Sequence, residues 1–222
     1  MPVLFLTGST GALGGAIRNT YLDNGWTVAG FSHEDDGFTH AHYRFWAVDA
    51  TNESSVEKMF SEASQKLGAP YALVATIGGV RPWKTVSETP IEDFRFLFEL
   101  NLASFFLSAK HAMQLMSGCG TIISIGAEPA LSPSAKKGGY VAAKAGVIAL
   151  TKVLAEEGKA VGITANSIVP TVIHTKANEE WGSPDEIPKW TKPEDIAAMC
   201  LFLSTEAGKA VNGAVIRMPN RM

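Results

Sequence analysis

The sequence has few cysteines and no metal-binding pattern around them. Its 222 residues include only two cysteines, Cys119 and Cys200, and these lie in unrelated apolar contexts. The N-terminus shows neither the basic region nor the long apolar region of a secretory signal. We therefore expect reduced thiols and a cytoplasmic location.

Blocks of basic residues and long apolar runs are also missing. The formal net charge is −3, and the only adjacent lysines are Lys136 and Lys137. Nucleic-acid-binding domains usually carry a clustered basic patch. No apolar run approaches the ~20 residues that a membrane-spanning helix requires. We predict that the protein binds neither nucleic acid nor a membrane.

The five histidines are scattered along the chain. His40 and His42 could share one face of a strand, but no carboxylate or cysteine accompanies them in a recognised ligand arrangement. Surface histidines are the simpler interpretation, and we predict no metal site.

Apolar and helical patterns alternate through the whole chain. Of its residues, 46% are hydrophobic, and no repeat, low-complexity tract or linker divides them, which predicts one domain over residues 1–222. Strands are predicted at 3–6, 27–31, 43–48, 71–77, 121–125, 163–169 and 214–218. Alternating strands and helices imply parallel strands joined by right-handed crossovers. The predicted fold is an α/β doubly wound Rossmann fold, with a parallel sheet of roughly seven strands between two helix layers.

A glycine-rich turn follows the first predicted strand. Residues 7–15 read Thr-Gly-Ser-Thr-Gly-Ala-Leu-Gly-Gly, and a helical pattern begins directly afterwards. Such a turn lets the backbone approach a pyrophosphate, and the free amides of the following helix bind its charge. A tight turn that serves packing alone is the alternative. The strand before and the helix after favour a nucleotide-phosphate site.

In a doubly wound sheet, ligands bind at the carboxyl ends of the strands. Polar, glycine and proline residues follow several of the predicted strands: Ser32 and His33, Asp49, Gly78 and Gly79, and Pro170 and Thr171. Glycine and proline are also ordinary loop residues. We nevertheless expect the functional residues to cluster at this edge.

Tyr140 and Lys144 are four residues apart, which places a phenol and an ammonium on one face of a helix. A fixed cation beside a phenol favours the phenolate and lowers its pKa from about 10. The tyrosine would then act as an acid or base near neutral pH. Taken alone, the pair is an ordinary feature of helix surfaces.

These motifs together resemble the short-chain dehydrogenase/reductase family. The resemblance rests on residues 7–14, Asp49, 101–102, 140–144, 166–170, Thr175 and 193–197. It implies that Tyr140 donates a proton and that Lys144 tunes the tyrosine and holds the ribose of a nicotinamide cofactor. It also implies that Asn101 takes part in catalysis. An ordinary polar helix residue is the alternative for Asn101.

The resemblance also implies a set of NAD(P)-binding residues: Gly8, Thr10, Ala12, Leu13, Gly14, Ser32, Asp49, Ala50, Ile77, Gly78, Gly79, Tyr140, Lys144, Pro170, Ile173 and Thr175. Asp49 is expected to contact the adenine. Ser32 stands where an acidic residue would hold the NAD ribose and repel the NADP phosphate. A neutral serine slightly favours NADP(H) over NAD(H), although the acidic residues 34–36 oppose a second anion.

The family usually has a serine thirteen positions before the tyrosine, and this chain has Ala127 there. Loss of one such donor costs about 10²- to 10³-fold when an oxyanion develops. Ser124, Ser132 and Ser134 are out of register and do not replace it. The dihydropteridine reductase branch shares this alanine and reduces a quinonoid pterin. Residues 8–14, 77–79 and 126–131 also resemble that branch.

Three further side chains are candidates for substrate contact beside Ala127. Trp83 and Trp190 could stack on a flat heterocycle, and packing of the core or of a lid is the alternative. Glu128 could accept hydrogen bonds from an amino-pyrimidine edge, or it could be solvated. The predicted substrate loop lies near residues 171–192.

The predicted function is an NAD(P)H-dependent oxidoreductase that reduces a pterin-like quinonoid substrate, with Tyr140 as proton donor. A general carbonyl reductase or alcohol dehydrogenase of the same family is one alternative. A catalytically weak NAD(P)-sensing protein is another. The resemblance also implies a homodimer or homotetramer, formed through the helices around 103–116 and 142–156.

Overall fold

A seven-stranded parallel sheet forms the centre of the computed structural model, which describes residues 1–220. Its strands are β1 (Val3–Thr7), β2 (Thr27–Ser32), β3 (Tyr43–Ala47), β4 (Ala72–Ala75), β5 (Gly120–Ile125), β6 (Ile163–Pro170) and β7 (Val215–Met218). The strand order is β3-β2-β1-β4-β5-β6-β7, and every neighbouring pair is parallel. The predicted fold class and strand number are confirmed.

Helices cover both faces of the sheet. They are α1 (Ala12–Asp23), α2 (Glu53–Leu67), α3 (Ile91–Phe98), α4 (Ser104–Leu115), α5 (Gly138–Gly158), α6 (Lys176–Glu179) and α7 (Pro193–Leu203). A π-helical segment, Glu99–Ala103, joins α3 to α4. Helices α1 and α7 pack together on one face, while α2, α4 and α5 lie on the other.

The core consists of two apolar clusters, one on each face of the sheet. Phe5 of β1 points into the first cluster, where its ring meets those of Phe31 and Phe60 edge-on at 5.1 Å. Its neighbours Leu4 and Leu6 point into the second cluster with α1 and α7. Because both faces of β1 are covered, the strand is continuously apolar rather than alternating.

The strand order reverses between β1 and β4, and this reversal positions the site. The chain leaves β1 toward β2 on one side, and it later returns to β4 on the other side. Loops at the carboxyl ends of such neighbouring strands diverge and leave a crevice. The glycine-rich loop after β1 and the Gly78–Gly79 loop after β4 form its walls.

The fourth strand is shorter than the predicted range 71–77. It ends at Ala75, and both the backbone N–H and the hydroxyl of Thr76 then donate to the Thr7 carbonyl, at 3.1 and 2.8 Å. This double contact leads the chain out of the sheet. Residues 76–79 consequently form the rim of the crevice.

The stretch Gly138–Val161, which contains α5, is long and apolar enough to cross a membrane by length and composition alone. Core helices pass the same test. This helix packs against α3, β5 and β6, with Val147 and Leu154 in the core. The finding is therefore weak evidence for a membrane span, and the absence of membrane binding stays a prediction.

Candidate active site

A cleft of about 910 Å³ lies at the crevice between the carboxyl ends of β1 and β4. Its volume is within the range usual for small-molecule and cofactor sites, about 300–1,000 Å³. The predicted cofactor residues that line it are Gly8, Thr10, Ala12, Leu13, Gly14, Ser32, Asp49, Ala50, Ile77, Gly78 and Thr175. The structure thus brings the ends of four strands to one cavity.

The glycine-rich loop has the geometry of a phosphate site. Gly8 has a φ of +77°, in the left-handed region, and a Cβ there would collide with the Thr76 hydroxyl. Helix α1 begins at Ala12, its N-cap Gly11 makes no side-chain cap bond, and its first turn has no acidic residue. The first amides of the helix are therefore available to an anion. This cradle fits the pyrophosphate of a dinucleotide.

Ser32 contributes its hydroxyl to the phosphate loop. The side chain is buried, and its Oγ accepts from the Thr10 amide at 3.3 Å and lies 3.4 Å from the Ser9 Oγ. No carboxylate occupies this position at the end of β2. The following residues, His33 and Glu34, both line the cleft.

One acidic residue of the segment after β2 is neutralised within the fold. Arg18 of α1 donates to Asp36 at 2.7 Å, and its guanidinium lies 3.7 Å from the ring centre of Phe38. Arg18 is itself buried. The repulsion that residues 34–36 exert on an anion is consequently smaller than the sequence predicts.

Asp49 lines the cleft and is held as a carboxylate. The hydroxyl of Thr51 donates to Oδ1 at 2.7 Å, and the Thr51 amide donates at 3.0 Å. The hydroxyl bond, then the amide bond, keeps the pKa of Asp49 below its ordinary value. An ionised acceptor here suits the amino group of an adenine.

Tyr140 and Lys144 both lie on α5, one turn apart. Lys144 is buried, and its Nζ donates to the Ile125 carbonyl at 2.9 Å. Within residues 1–220, no hydrogen bond joins Tyr140 to Lys144. Burial raises the pKa of Tyr140 to about 12 and lowers the pKa of Lys144 to about 8.

The sequence-based expectation about the Tyr140 pKa is therefore wrong. The spacing predicts that the lysine cation acidifies the phenol, whereas burial of the phenol raises its pKa. Tyr140 keeps its proton at neutral pH, which suits a proton donor. Lys144 is the group of the pair that titrates near the physiological range.

Asn101 connects the π-helical segment to the loop after β4. Its Oδ1 accepts from the Gly79 amide at 3.1 Å, and its Nδ2 donates to the carbonyls of Gly79 at 3.0 Å and Leu97 at 2.9 Å. Both amide hydrogens are used, and one lone pair of Oδ1 remains. Asn101 thus holds the rim of the cleft in place, and its role in proton transfer stays a prediction.

In the segment after β5, position 127 is an alanine and offers no hydroxyl to a substrate. Ala127 is buried with extended backbone. The Ser124 hydroxyl pairs with that of Thr151 at 2.8 Å, and Thr151 in turn donates to the Val147 carbonyl. Ser124 is therefore committed to core packing, and the register keeps it from replacing the missing serine.

Of the two tryptophans predicted to contact substrate, Trp83 contacts Tyr140. Its ring meets the Tyr140 ring edge-on at 5.8 Å and is 45% exposed. Trp190, in contrast, is 2% exposed and packs on Trp181 at 5.1 Å between ring centres. Burial of Trp190 supports the packing alternative, because its ring faces are covered by the protein.

Glu128 is bound by an arginine that is distant in the sequence. Its two carboxylate oxygens accept from Nε and Nη2 of Arg217 on β7, with Nε at 3.2 Å. The sequence does not predict this arginine partner, and the contact of Glu128 with a pyrimidine edge stays a prediction. This bidentate ion pair ties the segment after β5 to the edge of the sheet.

Five predicted cofactor residues do not line the cleft itself. The Gly79 amide donates a hydrogen bond to Asn101, and Lys144 Nζ lies 3.1 Å from the position that a Cβ of Gly78 would occupy. Tyr140 lines an adjoining small cavity, Pro170 ends β6, and Ile173 forms a bridge with Thr191 at the base of the substrate loop.

The predicted set of cofactor-binding residues leaves out several residues that do line the cleft: Gly11, Glu34, Val48, Thr51, Thr76, Leu100, Lys176 and Ala177. Gly11 and Thr51 adjoin predicted site residues and could have been found by extending those motifs. Lys176 begins the short helix α6, and no spacing in the sequence signals that it reaches the nucleotide cleft.

No group of three or more His, Cys, Asp or Glu side chains that could hold a metal ion occurs in residues 1–220. His40 and His42 have ring centres 5.8 Å apart, and the His42 amide donates to Nδ1 of His40. These contacts are local, and the absence of a metal site stays a prediction.

The chain matches known proteins over most of its length. A family model described as enoyl-(acyl carrier protein) reductase matches residues 12–218. The chain is 27% identical to D-threitol dehydrogenase of Mycolicibacterium smegmatis, over 96% of this chain and 89% of the relative. It is 30% identical to an NADPH-dependent aldehyde reductase-like protein, chloroplastic, of Arabidopsis thaliana, over 76% of this chain and 67% of the relative.

Solved structures give the same result for the fold. A short-chain type dehydrogenase/reductase from Mycobacterium ulcerans superposes with a TM-score of 0.91 at 23% identity, covering 99% of this chain and 90% of that structure. With the nucleotide cleft, the buried lysine and the family match taken together, the chain belongs to the short-chain dehydrogenase/reductase family and is an NAD(P)-dependent oxidoreductase.

Proposed function

We propose that the protein reduces a carbonyl group to an alcohol, with Tyr140 as the proton donor and NADP(H) as the preferred cofactor. The observation that carries this proposal is the pairing, on one helix, of a phenol that stays protonated with a buried lysine beside the nucleotide cleft. A bound nicotinamide cofactor supplies or accepts the hydride.

Each residue has a defined part in this reaction. The Tyr140 hydroxyl donates its proton to the developing alkoxide, which needs an acid that is still protonated at neutral pH. Lys144, charged below about pH 8, stabilises the phenolate that remains and holds the ribose hydroxyls. Asn101 keeps the Gly78–Gly79 rim, and with it the nicotinamide end of the cleft, in position.

The preference for NADP(H) is supported by the end of β2. Ser32 places a neutral hydroxyl where a carboxylate would repel the 2′-phosphate, and Arg18 neutralises Asp36. His33 lines the cleft and would bind a phosphate when protonated. Glu34 also lines the cleft, so we propose a modest preference rather than exclusion of NAD(H).

A pterin-like quinonoid heterocycle is the second candidate substrate. Ala127 supports it, because a quinonoid ring accepts a hydride without forming an alkoxide that needs a second hydroxyl. Trp83, 45% exposed beside Tyr140, offers a ring face to a flat ligand. Glu128 is already paired with Arg217 and Trp190 is buried, so these two residues support the pterin candidate less than Trp83 does.

The test is a Tyr140→Phe variant compared with the wild type. We expect turnover of carbonyl substrates to fall at least about 10²-fold, within the range typical of general acids, while NADPH affinity stays within threefold. Fluorescence titration of NADPH and steady-state turnover of ketones, aldehydes and quinonoid dihydropterin measure both. A protein that binds NADPH but turns over none of these compounds would be a nucleotide sensor.

We also propose that the protein is cytoplasmic and assembles as a homodimer or homotetramer through α4 and α5. Large apolar side chains on both helices support this assembly: Phe106 is 48% exposed and Val153 is 51% exposed. Sedimentation analysis of the wild type and of a Phe106→Glu, Val153→Glu variant tests it. A monomeric wild type would contradict it.

A further inference from the structure

A small cavity lined mainly by positively charged side chains adjoins Tyr140. It measures about 20 Å³ and lies between the segment 81–84, which follows the Gly78–Gly79 rim, and the turn 136–140, which leads into α5. We call it the cationic groove. Tyr140 lines this groove, and the groove shares no lining residue with the nucleotide cleft.

Cations outnumber carboxylates in the groove. Its charged lining residues are Arg81, Lys84, Lys136, Lys137 and Asp93. Asp93 lies 3.7 Å from Arg81 Nε and 3.5 Å from Lys84 Nζ, so it offsets part of that charge. Glu88 also faces Lys84. In the described residues, no ion pair reaches Lys136 or Lys137.

This positive charge contrasts with the rest of the chain. The protein carries a net charge of −3, and Lys136 and Lys137 are its only adjacent lysines. Like charges repel each other, and a bound counter-charge removes that repulsion. Their location beside the proton donor, rather than elsewhere on the surface, indicates use by a ligand.

Aromatic rings hold two of the cations in place. The Arg81 guanidinium lies 3.7 Å from the ring centre of Phe96, and Lys137 Nζ lies 5.1 Å from that of Trp83. Trp83 in turn contacts the ring of Tyr140. Cation–π contacts of this kind restrict the side chains before a ligand arrives. Because Trp83 contacts both Tyr140 and Lys137, its ring sets the distance between the Tyr140 phenol and the Lys137 ammonium.

Lys136 is held in an unusual backbone conformation. Its φ of 67° is the only positive φ of a non-glycine residue among residues 1–220. Such conformations are strained for a residue with a side chain, and they cluster at functional sites. At this position the turn presents two successive lysines at the mouth of the groove.

The size of the groove limits what it binds. A cavity needs about 10–15 Å³ to hold one water molecule. The groove therefore accepts one small polar group, and a protein surface or a large head group does not enter it. A carboxylate is small, planar and negative, and it matches a guanidinium and ammonium lining.

We propose that the substrate is an oxo acid, whose carboxylate binds in the cationic groove while its carbonyl faces Tyr140. This inference rests on the proposed carbonyl reduction and adds the substrate class to it. The carboxylate would lie between Lys137 and Arg81. Trp83 would cover the carbon chain that links the carboxylate to the carbonyl.

The test compares acids with their methyl esters, which keep the carbonyl and remove the charge. Substrates are 2-oxobutanoate, 3-oxobutanoate, 4-oxopentanoate and their methyl esters, assayed with NADPH and NADH. We expect at least one acid to exceed its ester at least tenfold in kcat/KM. This ratio should fall when salt is raised from 0.05 to 0.5 M, because salt screens exposed charges.

A Lys136→Gln, Lys137→Gln double variant tests the residues. We expect the acid-to-ester ratio to fall at least tenfold, mainly through KM. Lys152→Gln, an exposed lysine on α5 outside the groove, is the matched control and should leave the ratio within threefold of the wild type. An acid preference that persists in the double variant would overturn the assignment to the groove.

The remaining outcomes separate the two proposals. If esters and neutral ketones are reduced as well as the acids, the oxo-acid inference fails and the proposed carbonyl reduction stands. If no carbonyl compound is reduced, the proposed carbonyl reduction is wrong, and the oxo-acid inference that rests on it is wrong as well. If dihydroxyacetone phosphate is reduced faster than every oxo acid, the cationic groove binds a phosphate, and the assignment to a carboxylate is wrong. Faster reduction of an acyl-carrier-protein thioester would overturn the small-molecule assignment.

Discussion

Asn101 Oδ1 and Lys144 Nζ converge on the same face of Gly78. A Cβ added to Gly78 would lie 2.8 Å from the Asn101 oxygen and 3.1 Å from the Lys144 nitrogen. The two side chains come from the π-helical segment and from α5, and the rim after β4 fits between them without a side chain. Gly78 therefore sets how closely the lysine approaches the nucleotide cleft.

Gly78→Ala should impair catalysis without unfolding the protein. The added methyl group must displace Asn101, Lys144 or the rim itself, and a shift of about 1 Å can cost about 10²-fold in rate. We expect kcat/KM to fall about 10- to 100-fold. Gly15→Ala on α1 is the matched control, because its nearest neighbour, Arg18 Nη2, is 3.9 Å away. Equal activity of the two variants would contradict this account.

The parts of the fold and site that follow from local patterns could be predicted from the sequence. The local sequence of residues 3–23 is enough to predict a strand, a glycine turn and a helix. Apolar runs form buried strands, and glycines permit a positive φ. Contacts between distant segments could not be predicted. Arg217 meets Glu128 across 89 positions, and this pairing depends on the order of strands in the sheet.

Burial explains the remaining difference between expectation and structure. A spacing of four residues places Tyr140 and Lys144 on one helix face, but it does not say how deeply they are covered. Desolvation then determines both pKa values. Trp190 is similar, because only the folded loop 171–192 shows that Trp181 covers its ring.

Lys144→Met should change the pH dependence of stability. Burial lowers the pKa of Lys144 from 10.5 to about 8, so the unfolded chain binds more protons than the folded chain between these pH values. The wild type therefore gains stability as the pH rises through this window, and the variant does not. Below about pH 8 the cost of the buried charge is fully present.

Urea unfolding at pH 7, 8, 9 and 10 measures this effect. The unfolding free energy of Lys144→Met, relative to the wild type, should decrease as the pH rises from 8 to 10, by on the order of 1.4 kcal/mol per pH unit. Lys152→Met, on the exposed side of the same helix, should show a constant difference. A constant difference for Lys144→Met would mean that Lys144 is not buried as a cation. Turnover of this variant should be lost at every pH.

Ser32→Asp should reverse the proposed cofactor preference. A carboxylate at the end of β2 accepts hydrogen bonds from ribose hydroxyls and repels a 2′-phosphate. Two unit charges 4 Å apart interact by about 1–4 kcal/mol in water or near a protein surface. We expect the Kd ratio of NADPH to NADH to rise tenfold or more in a fluorescence titration.

Ser32→Ala is the control for that experiment. It removes the Oγ contact with the Thr10 amide without adding charge, so it should weaken both cofactors by a similar factor. If Ser32→Asp also raises the Kd of NADPH and of NADH equally, the end of β2 does not distinguish a ribose 2′-hydroxyl from a 2′-phosphate. The proposed preference would then lose its main support.

Ala127→Ser distinguishes the two candidate substrate classes. In a carbonyl reductase, a hydroxyl at this position donates to the developing oxyanion, and one such donor is worth about 10²-fold or more where geometry is good. Ala127 is buried in extended backbone after β5, so a serine adds one oxygen without a change of backbone conformation. We expect kcat/KM for carbonyl compounds to rise at least fivefold, and turnover of quinonoid dihydropterin to stay level or fall.

Ala127→Cys is the matched control. The cysteine side chain has nearly the size of the serine side chain, but its thiol is a weak hydrogen-bond donor. A rate increase with serine and none with cysteine would assign the gain to hydrogen bonding rather than to packing. If serine accelerates no carbonyl compound while the wild type reduces the dihydropterin, the substrate is a heterocycle that forms no alkoxide. Tyr140 and Lys144 would then suffice without a hydroxyl at position 127, and the alanine would be an adaptation to that substrate.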